Sequence, residues 1–199
     1  MTANAANPAG GIAQAPGAPA LTGEEMLQKI ATECDASVSP TNSKNKKKSC
    51  MALGTDKHNC CEEKIRDHQK TGKPPELEGE KGYKRPALHD DGSPVLPAQV
   101  PTPVGGPRPS LSAAFAAGGS AVGQAFNAIR GNCYPDAAII NSDGSKTFAD
   151  FKFPCPKGHP SGKGTSTGTS TPVMSPKQQG SYDALGYGTG NGTALTIYP

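Results

Sequence analysis

Hydrophobic residues recur every three or four positions in four parts of the chain, and this spacing predicts amphipathic helices. A capping residue precedes three of these stripes. The fourth stripe lies between Gly119 and Gly131 and predicts the best core helix of the chain. The four predicted helices cover approximately residues 22–34, 60–71, 120–130 and 176–185.

Alternating apolar and polar residues predict a β-hairpin in the C-terminal third. The segments 134–140 and 147–153 are joined by a loop that contains Asp143-Gly144, a strong hairpin turn signal. A weak alternation over residues 193–198 could add an edge strand. Between residues 73 and 109, prolines and glycines recur so often that neither a long helix nor a central strand is expected.

The composition limits the size of the core. Of 199 residues, 25 are Gly and 20 are Pro, while only 34% are hydrophobic and 5% aromatic. We therefore expect a single small core of the α/β class, in which a small mixed sheet holds the hairpin and helices flank it. The chain then divides into a disordered Ala/Pro/Gly-rich tail over residues 1–20, a helical and irregular accessory region over 21–110, and the core over 111–199.

The chain carries a small positive charge, part of which is concentrated in one basic run. The net charge is +3, and a basic run at Lys44 and Lys46–Lys48 lies in a polar loop. This run is either a solvated surface or a contact for nucleic-acid phosphates.

The N-terminus lacks a basic region followed by an apolar run, and no long apolar segment occurs. We expect neither a cleavable signal peptide nor a membrane span.

Three polar residues of the hairpin could form a hydrolytic centre. Phosphodiester hydrolysis on a metal needs carboxylates to hold Mg²⁺ or Mn²⁺ and a cation to orient the attacking water, and Asp136, Asp150 and Lys152 supply these groups. If the pairing is centred on Gly144, Asp136 faces Lys152 and all three share one face of the sheet. A two-residue turn would separate the carboxylates, so we expect a loop with an odd number of residues or a bulge. Charge is then expected on one face and the apolar core on the other.

These residues resemble a known motif. Pro135-Asp136 with Asp150-Phe-Lys152 resembles the PD-(D/E)xK motif that names the restriction-endonuclease-like nuclease superfamily. Ser175-Pro-Lys-Gln178 is similar to the Ser-x-x-Gln element of virus-type replication-repair nucleases and of restriction-endonuclease-like toxin domains. The resemblance implies a restriction-endonuclease-like core and a metal-dependent DNase. In that enzyme Asp136 and Asp150 bind Mg²⁺ or Mn²⁺, and Gln178 reaches the metal site or the scissile phosphate.

The resemblance also implies roles for neighbouring residues. Many members of the superfamily add an acidic residue from a helix that precedes the hairpin, and Glu62 or Glu63 could serve as this metal ligand. The alternative is that Glu62 caps the helix and Glu63 is exposed to solvent. The further residues expected to contact nucleic acid are Lys177, Tyr182, Gln179 and Lys157.

The order of segments suggests a biological role. A low-complexity start, a cysteine-rich helical segment and a nuclease end resemble bacterial polymorphic toxin effectors, including those exported by type VI secretion, which need no cleavable signal. This resemblance implies an antibacterial toxin, made in the producer's cytoplasm, that attacks DNA in the target bacterium's cytoplasm and is neutralised by a cognate immunity protein. A housekeeping DNA repair or mobile-element nuclease is the alternative.

Six cysteines leave the disulfide pattern open. The predicted hairpin register places Cys133 opposite Cys155, as a disulfide or as two buried thiols. Five Cys and His residues could instead hold zinc in a non-catalytic interaction module, although they contain no CxxC spacing. The alternatives to zinc are a disulfide that clamps this segment, or simple burial or exposure of the side chains. The five residues are Cys50, His58, Cys60, Cys61 and His68.

Overall fold

The computed structural model describes residues 20–96, 98, 100–104, 124, 131–160, 173–190 and 192–199. Within these residues the helices are α1 (Gly23–Ser37), α2 (Cys50–Thr71) and α3 (Pro176–Thr189). The strands are β1 (Glu76–Gly79), β2 (Tyr83–Lys84), β3 (Asn132–Cys133), β4 (Ala137–Ile140), β5 (Lys146–Phe151) and β6 (Leu195–Ile197). The predicted α/β class with a small mixed sheet is confirmed. The predicted helix over 120–130 and the N-terminal tail lie outside the described residues, apart from Gln124 and residue 20.

Local capping explains where α1 and α2 begin. The Thr22 side chain accepts a hydrogen bond from the Glu25 amide, and the Glu25 carboxylate accepts one from the Thr22 amide, so the predicted capping box of α1 is confirmed. The predicted start of α2 near residue 60 is wrong. The side chain of Ser49 caps α2, which begins at Cys50. The buried residues of α2 form a stripe at intervals of four: Leu53, Lys57, Cys61 and Ile65.

The main sheet has the strand order β1-β4-β5-β6. β1, β4 and β5 are antiparallel neighbours, whereas β6 runs parallel to β5. The C-terminal edge strand is therefore confirmed. The segment 73–109 was expected to be irregular, yet it supplies the opposite edge strand, β1, together with β2, which pairs with β3 in a separate ladder. A short edge strand tolerates flanking prolines because only one of its sides is hydrogen-bonded.

The register of the β4–β5 hairpin sets the geometry of the polar residues. Five residues separate the two strands, which is the odd loop that was predicted. Ala137 pairs with Ala149, so the ladder continued by one residue places Asp136 opposite Asp150. The prediction that Asp136 faces Lys152 is wrong by two positions. Because side chains alternate with a period of two, this shift leaves each of them on its expected face.

Apolar clusters cover both faces of the sheet, so the expectation of one charged and one apolar face is wrong. On one face, Ala137, Ile139, Ala149 and Phe151 pack against residues of α1 and α2 that include Leu27, Ile30, Cys61 and Ile65. On the other face, the core contains Ala138 and Phe148 from the sheet and Tyr182 and Leu185 from α3. The helices of residues 21–110, expected as an accessory region, thus share the core of the sheet. Each large side chain buried in this way contributes about 1.5–3 kcal/mol.

Two disulfides join separate elements. Cys34–Cys60 links α1 to α2, and Cys50–Cys155 links the start of α2 to the chain after β5. A disulfide between Cys133 and Cys155, one of the two alternatives, does not form, because Cys155 is bonded to Cys50 and Cys133 lies in β3, which pairs with β2. The other alternative, two buried thiols, holds for Cys133 alone. Cys61 and Cys133 are buried free thiols. Disulfides thus occupy two of the cysteines considered for zinc, Cys50 and Cys60.

Candidate active site

Four polar residues meet at one end of the β4–β5 hairpin. Asp136 directly precedes β4, Asp150 is the penultimate residue of β5, and Lys152 follows that strand. Gln178 lies in the first turn of α3, which packs on the same face of the sheet. The structure thus brings together the four residues that the sequence motif singles out.

Asp136 is held by two contacts. Its Oδ2 atom accepts a hydrogen bond of 2.7 Å from the backbone amide of Phe151, which ties the start of β4 to the end of β5. The Nδ1 atom of His58, on α2, lies 3.3 Å from the same oxygen. Burial alone would lower the pKa of His58, but the hydrogen bond to Asp136 and the charges of Asp136 and Asp150 raise it. His58 is therefore held toward its cationic form beside the two carboxylates.

Asp150 is the most deeply buried acid of the centre, with 4% of its surface exposed. Its Oδ1 atom accepts a hydrogen bond of 2.9 Å from Gln178 Nε2. Its Oδ2 atom is in ion-pair contact with Lys152 Nζ but receives no well-oriented hydrogen bond from the described residues. Burial first, and then the adjacent charge of Asp136, raise the pKa of Asp150 to about 7. Two carboxylates therefore lie side by side, the one of Asp150 buried, and Lys152 and His58 are the cations that contact them.

The start of α3 aims Gln178 at Asp150. Ser175 caps the helix and its side chain accepts the Gln178 amide, while Pro176 occupies the first turn. Gln178 Nε2 also donates to the hydroxyl of Tyr182 at 3.3 Å, and that hydroxyl donates to the Tyr134 carbonyl at 2.9 Å. The side chain of Gln178 is thus fixed between an acid of the centre and a buried phenol.

Tyr182 and Gln179, both expected to contact nucleic acid, lie in structural positions. Tyr182 is 4% exposed, and burial raises its pKa, so its hydroxyl stays protonated and positions Gln178. Gln179 Nε2 donates to Asp183 Oδ1 at 2.9 Å and to the Ala194 carbonyl at 3.3 Å, which fastens α3 to the segment before β6. Of the two glutamines, Gln178 is the one that reaches the centre. Lys177 and Lys157 are exposed.

On α2, the residue that contacts the centre is His58, which the motif did not indicate. Glu62, one turn further along, pairs with Arg66 at 2.7 Å, and Glu63 is exposed. His58 precedes the buried residues Cys61 and Ile65 by three and seven positions, so it lies on the face that packs against the sheet. A helix predicted from residue 50 would have placed His58 on this face.

A cavity of about 640 Å³ opens beside Gln178. Its walls include the cationic side chains of Arg85 and Lys177, the acidic side chain of Asp90 and the polar groups of Asn132 and Ser181. The turn that carries His89 packs closely on α3: a Cβ atom at Gly180 would lie 1.7 Å from the Gly92 carbonyl oxygen, so only glycine fits there. The cavity has the size and the charge to accept part of an anionic chain next to the acidic centre.

Comparison of the chain with protein-family models, with curated proteins and with solved structures found no match. Within the described part of the chain, no three His, Cys, Asp or Glu side chains are grouped so that they could hold a metal ion. A metal site built from two carboxylates and one backbone carbonyl contains only two such side chains, so it would not form a group of three. The Asp150 Oδ2 atom, which receives no well-oriented hydrogen bond, and the neighbouring carboxylate of Asp136 are oxygen ligands of the kind that a divalent cation takes. No helix of the described residues has the length and apolar character to cross a membrane.

Proposed function

We propose that the protein is a metal-dependent DNase of the PD-(D/E)xK, restriction-endonuclease-like type. The observation that carries this proposal is the placement of Asp136 opposite Asp150 at the end of the hairpin, with Lys152 and Gln178 in contact with the buried Asp150. A simple surface ion pair is the plain alternative, but it would leave Asp150 in solvent, where such pairs contribute little. Burying two adjacent acids is unfavourable, and such arrangements are concentrated at functional sites.

In this proposal Asp136 and Asp150, with the backbone carbonyl of Phe151, hold Mg²⁺ or Mn²⁺. The bound ion supplies charge stabilisation to the phosphate and to the leaving oxygen. Lys152, held beside the carboxylates, orients the attacking water and offsets the negative charge that develops on the phosphate. Gln178 orients the water, Lys152 or a phosphate oxygen. His58 and the Phe151 amide keep Asp136 in position.

The cavity beside Gln178 supports a nucleic-acid substrate. Lys177 and Arg85 line it, and Arg85 is held in place by a hydrogen bond of 3.1 Å from its Nη2 atom to the Asn132 carbonyl. Cationic side chains next to a metal centre are typical of sites that contact phosphates on either side of a cleaved bond. This arrangement does not distinguish DNA from RNA, so both substrates belong in the test.

Purified protein incubated with supercoiled plasmid and Mg²⁺ or Mn²⁺ should relax and then degrade the DNA, and EDTA should stop the reaction. Asp150→Ala and Lys152→Ala should abolish cleavage while circular dichroism shows a folded protein. Asp143→Asn, an exposed change in the same hairpin, is the matched control and should cleave normally. Equal cleavage by the Asp150 and Lys152 variants would sink the assignment, and preferred cleavage of RNA would reassign the substrate.

We further propose that the biological role is that of an antibacterial toxin, delivered as a type VI effector and neutralised by an immunity protein. The order of segments supports this role: a low-complexity start and a cysteine-rich helical segment precede the proposed nuclease centre. Expression of the wild-type chain inside bacteria should reduce viable counts and cellular DNA, whereas the Asp150→Ala variant should be tolerated. Normal growth with active enzyme would favour a repair or mobile-element nuclease instead.

A further inference from the structure

The basic run that the sequence leaves unexplained forms an ordered turn, which we term the lysine hairpin (residues 41–48). The Asn42 amide donates to the Lys46 carbonyl at 2.9 Å, and the Asn42 side-chain oxygen accepts the amides of Lys44 and Lys46 at 3.0 and 3.1 Å. Asn45 has a positive φ of 55°, as tight turns require. The lysines are thus displayed on a defined scaffold, which reduces the entropy lost when they bind a partner.

The lysine hairpin is fastened to the loop 154–160, which follows β5. The Cys50–Cys155 disulfide joins the first residue of α2, two positions after the hairpin, to this loop, with a Cα–Cα distance of 5.4 Å. Three hydrogen bonds add to it: Cys50 N to the Pro160 carbonyl at 3.0 Å, His159 Nδ1 with the Lys48 carbonyl at 3.0 Å, and Lys47 Nζ to the Gly158 carbonyl at 3.3 Å. The position of the hairpin relative to Lys152, three residues before Cys155, is therefore fixed.

The distance from the lysine hairpin to the carboxylates can be estimated along α2, the helix that follows the hairpin. Cys50 and His58 are eight residues apart in α2, which corresponds to about 12 Å at the helical rise. His58 lies 3.3 Å from Asp136. The end of the lysine hairpin next to Cys50 is thus roughly 15–20 Å from the carboxylates, which along a DNA strand equals about four to six nucleotides.

The lysine hairpin and the loop 154–160 carry positive charge only. Neither the lysine hairpin nor the loop 154–160 contains an acidic residue. Lys48 pairs with Asp56 on α2 at 2.7 Å, while Lys44, Lys46 and Lys157 are exposed. On the other side of the centre, Lys177 and Arg85 line the cavity beside Gln178. Cations therefore flank the acidic centre on two sides, which matches a repeating polyanion better than a compact anion.

We propose that the lysine hairpin, with Lys157, binds the phosphate backbone of duplex DNA about four to six base pairs from the scissile phosphate. The inference rests on the proposed nuclease function for the position of the cleaved bond. The contact is made to phosphates, so it raises affinity without selecting a sequence.

The test measures binding of full-length protein to a fluorescent DNA duplex of about 30 base pairs in EDTA, so that no cleavage occurs. The variant is Lys44→Glu with Lys46→Glu. The matched control is Lys70→Glu with Lys73→Glu, which makes the same change of charge at the far end of α2, about 30 Å away. All these lysines are exposed, so the variants should fold, and circular dichroism verifies this.

We expect the hairpin variant to bind about tenfold or more weakly, and the plot of log affinity against log salt to lose about two units of slope, one for each lost phosphate contact. The control should stay within about twofold of the wild type. Cleavage of a short oligonucleotide that cannot reach the hairpin should keep its rate.

Two results would overturn the inference: unchanged DNA affinity of the hairpin variant, which would point to an acidic protein surface as the partner, or an equal loss in the control, which would show an effect of net charge alone. Failure of the nuclease proposal is separate. In that case the wild type would bind DNA through the hairpin and yet show no cleavage with Mg²⁺ or Mn²⁺.

Discussion

The burial of Asp150 makes a prediction about stability that needs no assay of activity. Burial and the charge of Asp136 raise the pKa of Asp150 from 3.8 to about 7. A group with a higher pKa in the folded than in the unfolded chain binds more protons when folded, so the free energy of unfolding falls as pH rises between the two values. Without a divalent cation, the wild-type protein should therefore lose stability between about pH 4 and pH 7.

The size of this loss follows from the shift. One pKa unit corresponds to about 1.4 kcal/mol, so the shift of Asp150 corresponds to as much as about 4 kcal/mol. Asp150→Asn cannot ionise and should not show the loss. Relative to the wild type, its free energy of unfolding should rise by up to about 4 kcal/mol between pH 4 and pH 8. The broken contact with Lys152 adds a cost of its own, so the change with pH is the quantity to measure, not stability at one pH.

The assay is urea unfolding in EDTA at several pH values, followed by circular dichroism. Asp143→Asn is the matched control, because hydrogen bonds from Ser145 lower the pKa of this exposed carboxylate and its effect on stability has the opposite sign. At pH 8, Mg²⁺ at about 100 times its Kd should restore roughly 2.7 kcal/mol to the wild type and nothing to Asp150→Asn. Parallel pH curves for the wild type and Asp150→Asn would refute the reasoning.

Four further outcomes follow from the contacts around the centre. Gln178→Ala removes the hydrogen bond to Asp150 and should lower kcat about 10–100-fold in single-turnover cleavage; an unchanged rate would remove Gln178 from the centre. His58→Ala should weaken Mn²⁺ binding about tenfold in calorimetry, because Asp136 loses a contact that orients it, and equal affinity would contradict this role. Tyr182→Phe leaves the Tyr134 carbonyl without its buried donor and should destabilise the fold by about 1–3 kcal/mol in urea unfolding; a smaller loss would mean that the carbonyl finds another partner. Cys155→Ser opens the disulfide Cys50–Cys155, whose sequence separation is 105, against 26 for Cys34–Cys60. It should lower the free energy of unfolding by about 2–5 kcal/mol, and by more than Cys60→Ser does. Equal losses in the two variants would argue against the effect of loop length.

Local signals predicted much of the fold. The capping box at Thr22, the Asp143-Gly144 turn and the Ser175-Pro176 helix start each act within a few residues, and α1, the β4–β5 hairpin and α3 occur where these signals placed them. The odd loop could be predicted because a single physical condition, that Asp136 and Asp150 share a face, excluded the even one. The motif grouped Asp136, Asp150, Lys152 and Gln178, and the structure brings these four residues together.

Long-range contacts decided the rest. Gly54 and the cap-like Asn59 weaken the helix signal before residue 60, but burial of Leu53 and Lys57 extends α2 to Cys50. That extension places His58 at Asp136. β1 is flanked by prolines and glycines and exists because β4 pairs with it. The disulfides depend on which segments meet in space, which cysteine spacing does not encode.

The measurement that tests the central claim most directly is single-turnover cleavage of a labelled DNA duplex as a function of Mg²⁺ concentration. The account predicts metal-dependent cleavage by the wild type and by Asp143→Asn. It predicts a fall of at least about 10²–10³-fold in Asp136→Asn, Asp150→Asn and Lys152→Ala when each is folded. Cleavage that persists in the three variants, or that proceeds equally in EDTA, would contradict a metal-dependent centre at the end of this hairpin.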